Sequence, residues 1–209
     1  MSETLRVVEH PLAAAALSTM RDKRTSNAEF RRALSELTTF LVYEATRELE
    51  TEVHLINTPV SSARSITVAK PITLVPILRA GLGMLESAER LLPSCNVGFI
   101  GMARDEETHL PRLYLESLPE SMSGITTIVL DPMLATGGSL IACLEALRKR
   151  NADDVTVVCA LAAPEGVHRV CDLFGDIRLF TASVDERLND DAFIVPGLGD
   201  AGDRQFGEV

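Results

Sequence analysis

The chain has 209 residues, of which 46% are hydrophobic and 24% charged, a composition typical of one globular domain over residues 1–209. Its net charge of −10 and isoelectric point near 4.9 argue against nucleic acid or an anionic membrane as the main partner. Four cysteines without CxxC spacing indicate reduced core thiols of a cytoplasmic protein, and no apolar stretch is long enough to span a bilayer.

In chain order, the spacing of apolar residues predicts helices first and then an alternation of strands and helices. Helices are expected over 12–20 and 28–49, followed by a small β-hairpin over 53–65 at the edge of the main sheet. The later predicted elements are strand 72–77, helix 82–92, strand 97–101, strand 125–130, helix 139–150, strand 155–161, helix 167–174 and strand 177–182.

These apolar strands and the helices between them favour an α/β fold, with a Rossmann-like parallel sheet covered on both faces. Ligands of such sheets bind beyond the carboxyl ends of the strands. The segments expected at that edge are 78–81, 103–108, 131–139, 163–166 and 185–187. The loop around Arg104 is the longest of them and the expected lid.

The most informative segment is Asp131–Ser139, which follows an apolar strand and opens a helix. Its small residues leave backbone N–H groups accessible to an anion, and the helix dipole favours negative charge there. Asp131 at the end of the strand is placed to accept hydrogen bonds from ribose hydroxyls. Two interpretations stay open for this loop alone: a ribose-phosphate cradle, or an ordinary strand–turn–helix with a Ser/Thr cap.

Two further features point to a ligand site. Arg79 directly follows a buried strand and precedes Ala-Gly, which favours an oxyanion clamp over a solubilising surface residue. The string 197–202 matches GxGxxG, but no βαβ unit surrounds it, so dinucleotide binding is rejected there. Its exposed backbone suits a flat ligand with alternating donors and acceptors; the alternative is a loop that needs positive φ angles.

Other motifs are absent or uninformative. No Lys follows Gly138, so the P-loop pattern fails, and the histidines have no metal-binding spacing. We expect His10 and His54 at the surface and His109 in a solvated loop, where the acidic cluster 105–107 also faces water.

Taken together, the chain resembles the uracil phosphoribosyltransferases, a family of type I phosphoribosyltransferases, over almost its whole length. The matching strings are Glu9–Leu12, Tyr43–Thr46, Val75–Met84, Arg104–Thr108, Asp131–Ser139, Ala162–Gly166 and Pro196–Arg204. Several long strings in the right order are far more specific than any single loop.

The resemblance implies that uracil and 5-phosphoribosyl 1-pyrophosphate (PRPP) react to give UMP and pyrophosphate, in pyrimidine salvage. The implied catalytic residues are Arg79, Arg104, Asp131 and Asp200. The implied PRPP-binding residues are Arg79, Arg104, Asp131, Pro132, Met133, Leu134, Ala135, Thr136, Gly137, Gly138, Ser139 and Asp200. The implied uracil-binding residues are Ile194, Gly199, Asp200 and Ala201. Mg²⁺ would arrive with PRPP rather than on protein ligands. A homodimer or larger homo-oligomer is implied, and GTP activation, known in some relatives, stays open.

The chain departs from the family pattern at a few positions. Phe193 and Ala103 stand where the family usually has Tyr, and the ending Phe206–Val209 replaces a more usual Gly-Thr. Asp131-Pro132 also supplies one carboxylate where many relatives in the wider class have two adjacent acids.

Three alternative functions remain. A regulatory RNA-binding protein on the same fold would need clustered Lys and Arg, which the charge balance disfavours. A catalytically weakened paralogue has only Phe193 and Ala103 in its favour. A purine phosphoribosyltransferase would not carry the glycine-rich string near the C-terminus.

Overall fold

The structure is a computed structural model that describes residues 4–104 and 111–207. Within those two ranges, no helix is both long and apolar enough to cross a bilayer. The helices of the same ranges are α1 (Pro11–Arg21), α2 (Asn27–Ala45), α3 (Leu82–Leu91), α4 (Gly138–Arg148), α5 (Pro164–Leu173) and α6 (Ala201–Phe206). The strands are β1 (Leu5–Val7), β2 (Thr51–Asn57), β3 (Ser62–Val68), β4 (Ile72–Leu78), β5 (Asn96–Val97), β6 (Phe99–Arg104), β7 (Pro111–Ser117), β8 (Thr126–Leu130), β9 (Met133–Leu134), β10 (Asp154–Cys159), β11 (Leu161–Ala162), β12 (Arg178–Thr181), β13 (Arg187–Leu188) and β14 (Ile194–Val195).

The central sheet has the strand order β1-β12-β10-β8-β4-β6-β7, with the short β5 also paired to β4. All of these pairs are parallel except the edge pair of β6 with β7. The predicted α/β fold with a parallel sheet is therefore confirmed. Strands β1 and β7 were not predicted from the sequence; β1 has only three residues, too few to show a periodic pattern.

Both faces of the sheet are buried because alternate residues of each strand enter different cores. On β8, Ile128 and Leu130 pack into the cluster that includes α1, α2 and α3. Val129, between them, packs into the cluster that includes α4 and α5. Burial on both faces explains the nearly continuous apolar strands in the sequence.

Helix capping sets the start of the first two helices. Ser26 caps α2 in a reciprocal capping box with Glu29. His10 caps α1, where its Nδ1 accepts the Leu12 N–H at 3.1 Å. His10 and His54 are exposed, as expected.

Three predictions about the fold were wrong in detail. The hairpin β2–β3 is not an edge of the main sheet, because its strands pair only with each other, from Thr51↔Val68 to Asn57↔Ser62. The second helix ends at Ala45 rather than at 49, since Thr46 leaves helical geometry. Cys143 and Cys159 are core residues, but Cys95 and Cys171 are only half-buried; within the described ranges none of the four forms a disulfide.

Candidate active site

A cleft of about 260 Å³ opens at the carboxyl edge of the sheet. Arg79 directly follows β4 and Asp131 directly follows β8, and these strands are hydrogen-bonded neighbours. The cleft is lined by residues 77–80, Met102, Asp131, residues 133–140 and Asp200. Sequence positions that are far apart therefore meet at the predicted edge. Pro132 does not line the cleft, because it is buried and its carbonyl accepts the N–H groups of Ala160 and Leu161.

The segment predicted to bind phosphate, residues 131–139 (the phosphate loop), presents unpaired backbone donors to the cleft. Gly137 has a φ of +78° and precedes α4, and no side chain caps this helix. Within the described ranges, the N–H groups of Thr136, Gly137, Ser139 and Leu140 have no acceptor. Free N–H groups at a helix N-terminus form a ready-made anion site.

The phosphate loop is held in place from below by α5. A Cβ added to Gly166 would lie 2.2 Å from the Ala135 carbonyl oxygen, so only glycine permits this approach. Arg169, one turn further along, donates to the Thr136 carbonyl at 3.2 Å. Glycine at 166 is thus required by packing between loop and helix rather than by a turn.

Asp131 is a half-buried carboxyl group on the floor of the cleft. Burial raises its pKa from the ordinary value of 3.8 to about 7, against a weak opposing hydrogen bond from the Met133 N–H at 3.4 Å. The carboxyl group therefore has most of its hydrogen-bonding capacity free for a ligand.

Arg79 is an exposed side chain at the mouth of the cleft. Among the residues that the structure describes, its guanidinium has no hydrogen-bond or ion-pair partner. The turn behind it is tight: a Cβ on Gly81 would lie 2.4 Å from the Leu130 carbonyl oxygen. Gly81 lets the Arg79 loop pack directly on the end of β8.

The segment predicted to read the base, residues 194–201 (the base-reading segment), is built differently from the predicted loop. Ile194 and Ala201 are buried in the core, so only their backbone can face a ligand, and neither they nor Gly199 line the cleft. The glycine-rich string does not remain a loop. It enters the short helix α6, whose first turn Asp200 caps by accepting the Gly202 and Asp203 N–H groups at 2.7 and 2.9 Å.

Several contacts that sequence reasoning missed hold this region together. The fully buried Gln205 donates to the Ala80 carbonyl at 3.0 Å and to the Ala201 carbonyl at 2.8 Å. This amide joins α6 to the residue after Arg79. Arg21 and Asp185 form an ion pair next to the same segment.

The structure says less about the remaining predicted positions. The backbone of Arg104 ends β6, but its side chain and residues 105–110, including the expected lid and His109, lie outside the described residues. Phe193 and Ala103 are both exposed. No cluster of three or more His, Cys, Asp or Glu suited to a metal occurs in the part of the chain that is described.

The parallel sheet, the uncapped helix N-terminus, the carboxylate and the arginine at one edge are the features expected of a type I phosphoribosyltransferase. A purine phosphoribosyltransferase from Pyrococcus horikoshii shares this fold, with a TM-score of 0.51 over 73% of this chain and 84% of the other, at 15% identity.

The comparisons with known proteins are more specific. The uracil phosphoribosyltransferase family model matches residues 7–208, so the chain belongs to that family. It is 53% identical to a uracil phosphoribosyltransferase of Corynebacterium diphtheriae, over 97% of this chain and 96% of the other. It is 55% identical to one of Streptomyces coelicolor, over 97% and 98%. The structure of the AQ2163 protein from Aquifex aeolicus matches with a TM-score of 0.92 and 41% identity, over 97% and 98%.

Proposed function

We propose that this chain transfers the phosphoribosyl group of PRPP to uracil, giving UMP and pyrophosphate. The observation that carries the proposal is the convergence in one cleft of three polar groups that, among the described residues, keep hydrogen-bonding capacity for a ligand: the N–H groups of Ser139 and Leu140 in α4, the Asp131 carboxyl and the Arg79 guanidinium. They match the phosphate, the ribose hydroxyls and the pyrophosphate of PRPP in turn.

In this proposal the phosphate loop binds the 5-phosphate through backbone N–H groups, as helix N-termini bind anions. Asp131 accepts hydrogen bonds from the ribose hydroxyls. Arg79 and Arg104 bind the pyrophosphate, for which a planar guanidinium with several donors is well suited. Asp200 lines the cleft, and in this proposal it contacts both PRPP and uracil.

The chemistry needs stabilisation of the leaving group more than it needs an acid or a base. Breaking the bond from the anomeric carbon to pyrophosphate creates an oxocarbenium-like ribose and a developing negative charge on the pyrophosphate. Arg79 and Arg104 stabilise that charge. In other enzymes, one pre-positioned donor stabilises the transition state by about 2.7–4 kcal/mol. Uracil N1 then forms the new bond to the anomeric carbon and loses its hydrogen as a proton, which passes to the released pyrophosphate or to water.

Uracil recognition is assigned to the backbone around Ile194, Gly199, Asp200 and Ala201. Uracil presents an N3–H donor between two carbonyl acceptors, and backbone C=O and N–H groups can match that order. Cytosine has an amino group in place of O4, and this donor would face the backbone N–H that donates to O4 of uracil. Such a mismatch in a site built for hydrogen bonds discriminates by about 10⁴-fold.

Mg²⁺ fits this donor set as a substrate-borne ion. Asp131 offers a single carboxylate, and Mg²⁺ is commonly held by one or two carboxylates together with substrate phosphates and water. When bound with PRPP, the ion supplies positive charge against the pyrophosphate.

A homo-oligomer of two or more chains is supported by the hairpin β2–β3. One of its faces carries Val53, Leu55, Ile66 and Val68, with side chains 46–75% exposed. A two-stranded ribbon with an apolar face gains stability by packing on another surface. Light scattering of the wild type and of Leu55→Glu tests this, with a smaller particle expected for the variant. The four cysteines, none of which forms a disulfide within the described ranges, are in keeping with a reducing, cytoplasmic setting.

The experiment that tests the proposed function follows product formation from uracil, PRPP and Mg²⁺ by chromatography. UMP is expected with Mg²⁺ and none after chelation by EDTA; no UMP with all three present would overturn the proposal.

A GTP titration in the same assay tests activation: a rise in rate at constant substrate would show it, and an unchanged rate would exclude it.

A further inference from the structure

The base-reading segment depends on a tight turn at Gly197. This residue has a φ of +64°, and a Cβ there would lie 2.1 Å from the Ile194 carbonyl oxygen. Both of its backbone polar groups are held by side chains. Asp185 accepts its N–H at 2.9 Å, and Arg21 donates to its carbonyl at 2.8 Å.

The two side chains that hold Gly197 also hold each other. Arg21 Nη1 donates to Asp185 Oδ2 at 2.7 Å, and Arg21 Nη2 donates to Asp185 Oδ1 at 2.5 Å. The side chain of Asp185 is 3% exposed and that of Arg21 25% exposed, and Ser183 donates to Asp185 as well. Burial alone would raise the pKa of Asp185, but these hydrogen bonds outweigh it and keep the pKa below the ordinary value.

A second arginine holds the next residue of the turn. Arg204 in α6 donates to the Leu198 carbonyl at 2.8 Å and to the Asp22 carbonyl at 2.9 Å. Its guanidinium lies 4.8 Å from the centre of the Phe30 ring, which adds a cation–π contact. The carbonyls of residues 197 and 198 are thus each bound by one guanidinium.

These contacts tie the turn to the end of α1. Arg21 is the last residue of that helix, and Asp22 is its C-cap. Neither arginine nor Asp185 lines the cleft. A backbone that must present donors and acceptors in a fixed order needs restraint, because each peptide group can otherwise rotate and reverse its pattern.

We infer that Arg21, Asp185 and Arg204 form a positioning clamp that fixes the peptide orientation of residues 197–198 and thereby sets the affinity and selectivity for the pyrimidine base. The inference rests on the proposed function. The three side chains act through the backbone of the segment, so they are positioning residues rather than catalytic ones.

The clamp predicts an effect on one substrate only. Arg21→Ala should raise the KM for uracil about tenfold or more, as expected for loss of charge-assisted hydrogen bonds, and leave the KM for PRPP within about twofold. Arg21→Lys should recover part of the loss, since lysine keeps the charge but not the forked geometry. The ratio of kcat/KM for uracil to kcat/KM for cytosine should be highest in the wild type, lower in Arg21→Lys and lowest in Arg21→Ala.

Arg24→Ala is the matched control. Arg24 lies three residues away, its side chain is 82% exposed, and it pairs with Asp22. Its uracil KM should equal that of the wild type. A parallel rise of both KM values in Arg21→Ala, or no change in either, would overturn the clamp.

Hydrogen–deuterium exchange keeps the test independent of turnover and of the proposed function. In Asp185→Asn, exchange should accelerate over residues 194–201 and stay unchanged over 131–139. Uniform acceleration, or none, would contradict a local clamp. If the wild type forms no UMP but exchange changes locally, the proposed function fails while the clamp stands.

Discussion

The two sides of the site satisfy their polar groups in opposite ways. On the side proposed to bind PRPP (the PRPP side), the N–H groups of Ser139 and Leu140 and the Arg79 guanidinium have no partner among the described residues. On the side proposed to bind uracil (the base side), the Gly197 N–H and the carbonyls of residues 197 and 198 are bound by Arg21, Asp185 and Arg204, and Asp200 caps α6.

This difference follows from the ligands proposed for each side. A highly charged ligand such as PRPP can satisfy free donors on its own, so these donors are left open to it. A flat, neutral base gives few hydrogen bonds, so its selectivity depends on a backbone whose orientation is fixed in advance.

The largest expected effect comes from removing a free donor on the PRPP side. Arg79→Ala should reduce kcat/KM by about 10²–10³, because one pre-positioned donor to the leaving group is lost. Steady-state kinetics with uracil and PRPP measure it. Arg90→Ala, an exposed arginine paired with Glu86, is the control and should match the wild type. A loss of less than about threefold would remove Arg79 from the pyrophosphate site.

Next in size is a change that touches no ligand. In Gly166→Ala the new Cβ must displace the Ala135 carbonyl, which it would otherwise approach to 2.2 Å. The KM for PRPP should rise about tenfold or more, since misplacement by about an ångström is costly. Gly175→Ala, whose nearest contact would be at 3.7 Å, is the matched control. Equal PRPP affinity in both variants would show that the phosphate loop does not depend on α5.

The pH dependence of kcat/KM for PRPP should report the ionisation of Asp131. With a pKa of about 7 in the free protein, Asp131 becomes protonated as pH falls, and a neutral acid accepts ribose hydroxyl hydrogen bonds less well. The kcat/KM for PRPP should therefore fall below about pH 7, and Asp131→Asn should lower and flatten that profile. A profile of the same shape in the variant would assign the titration to another group.

The ionisation of Asp131 should affect stability in the direction opposite to its effect on activity. A raised folded-state pKa means that protonated Asp131 favours folding; this contribution is fully present below pH 4 and is lost as pH rises through 7. The wild type should therefore lose stability between pH 4 and 8 relative to Asp131→Asn, so the free energy of unfolding of the variant minus that of the wild type should increase with pH. Urea melts at several pH values measure the gain, and parallel curves would argue against the shift.

The smallest effect is expected at Phe193. Phe193 is 46% exposed, and its backbone N–H is bound by Asn189 Oδ1 at 2.8 Å, so the segment is already fixed there. Phe193→Tyr should lower the KM for uracil only a few fold, through the hydroxyl that relatives usually carry. No change would make this departure neutral, and a change of tenfold would mean that the base side relies on side chains as well as on backbone.

The PRPP side could be predicted from the sequence because its signals are local. An apolar strand followed by Asp131, small residues and a helix stands in one continuous string, and Arg79 follows the neighbouring strand directly. The helix after Asp200 also had a local signal, an N-cap aspartate, which the glycine-rich pattern obscured.

The restraints on the base side could not be predicted in the same way. Arg21 meets Asp185 across 164 positions, and Gln205 meets Ala80 across 125. Each is an ordinary polar residue in its own stretch of sequence, and only the tertiary packing of α1 and α6, which both contact α2, brings the partners together. The free-standing hairpin is a similar case, since its alternating pattern fits an edge strand and an isolated ribbon equally well.

The most direct test of the account is pyrophosphate release from PRPP and Mg²⁺ with each of three bases: uracil, cytosine and hypoxanthine. We predict rapid release with uracil and rates lower by several orders of magnitude with cytosine and hypoxanthine. Equal release with all three bases, or release with hypoxanthine alone, would contradict a phosphoribosyltransferase site that reads uracil.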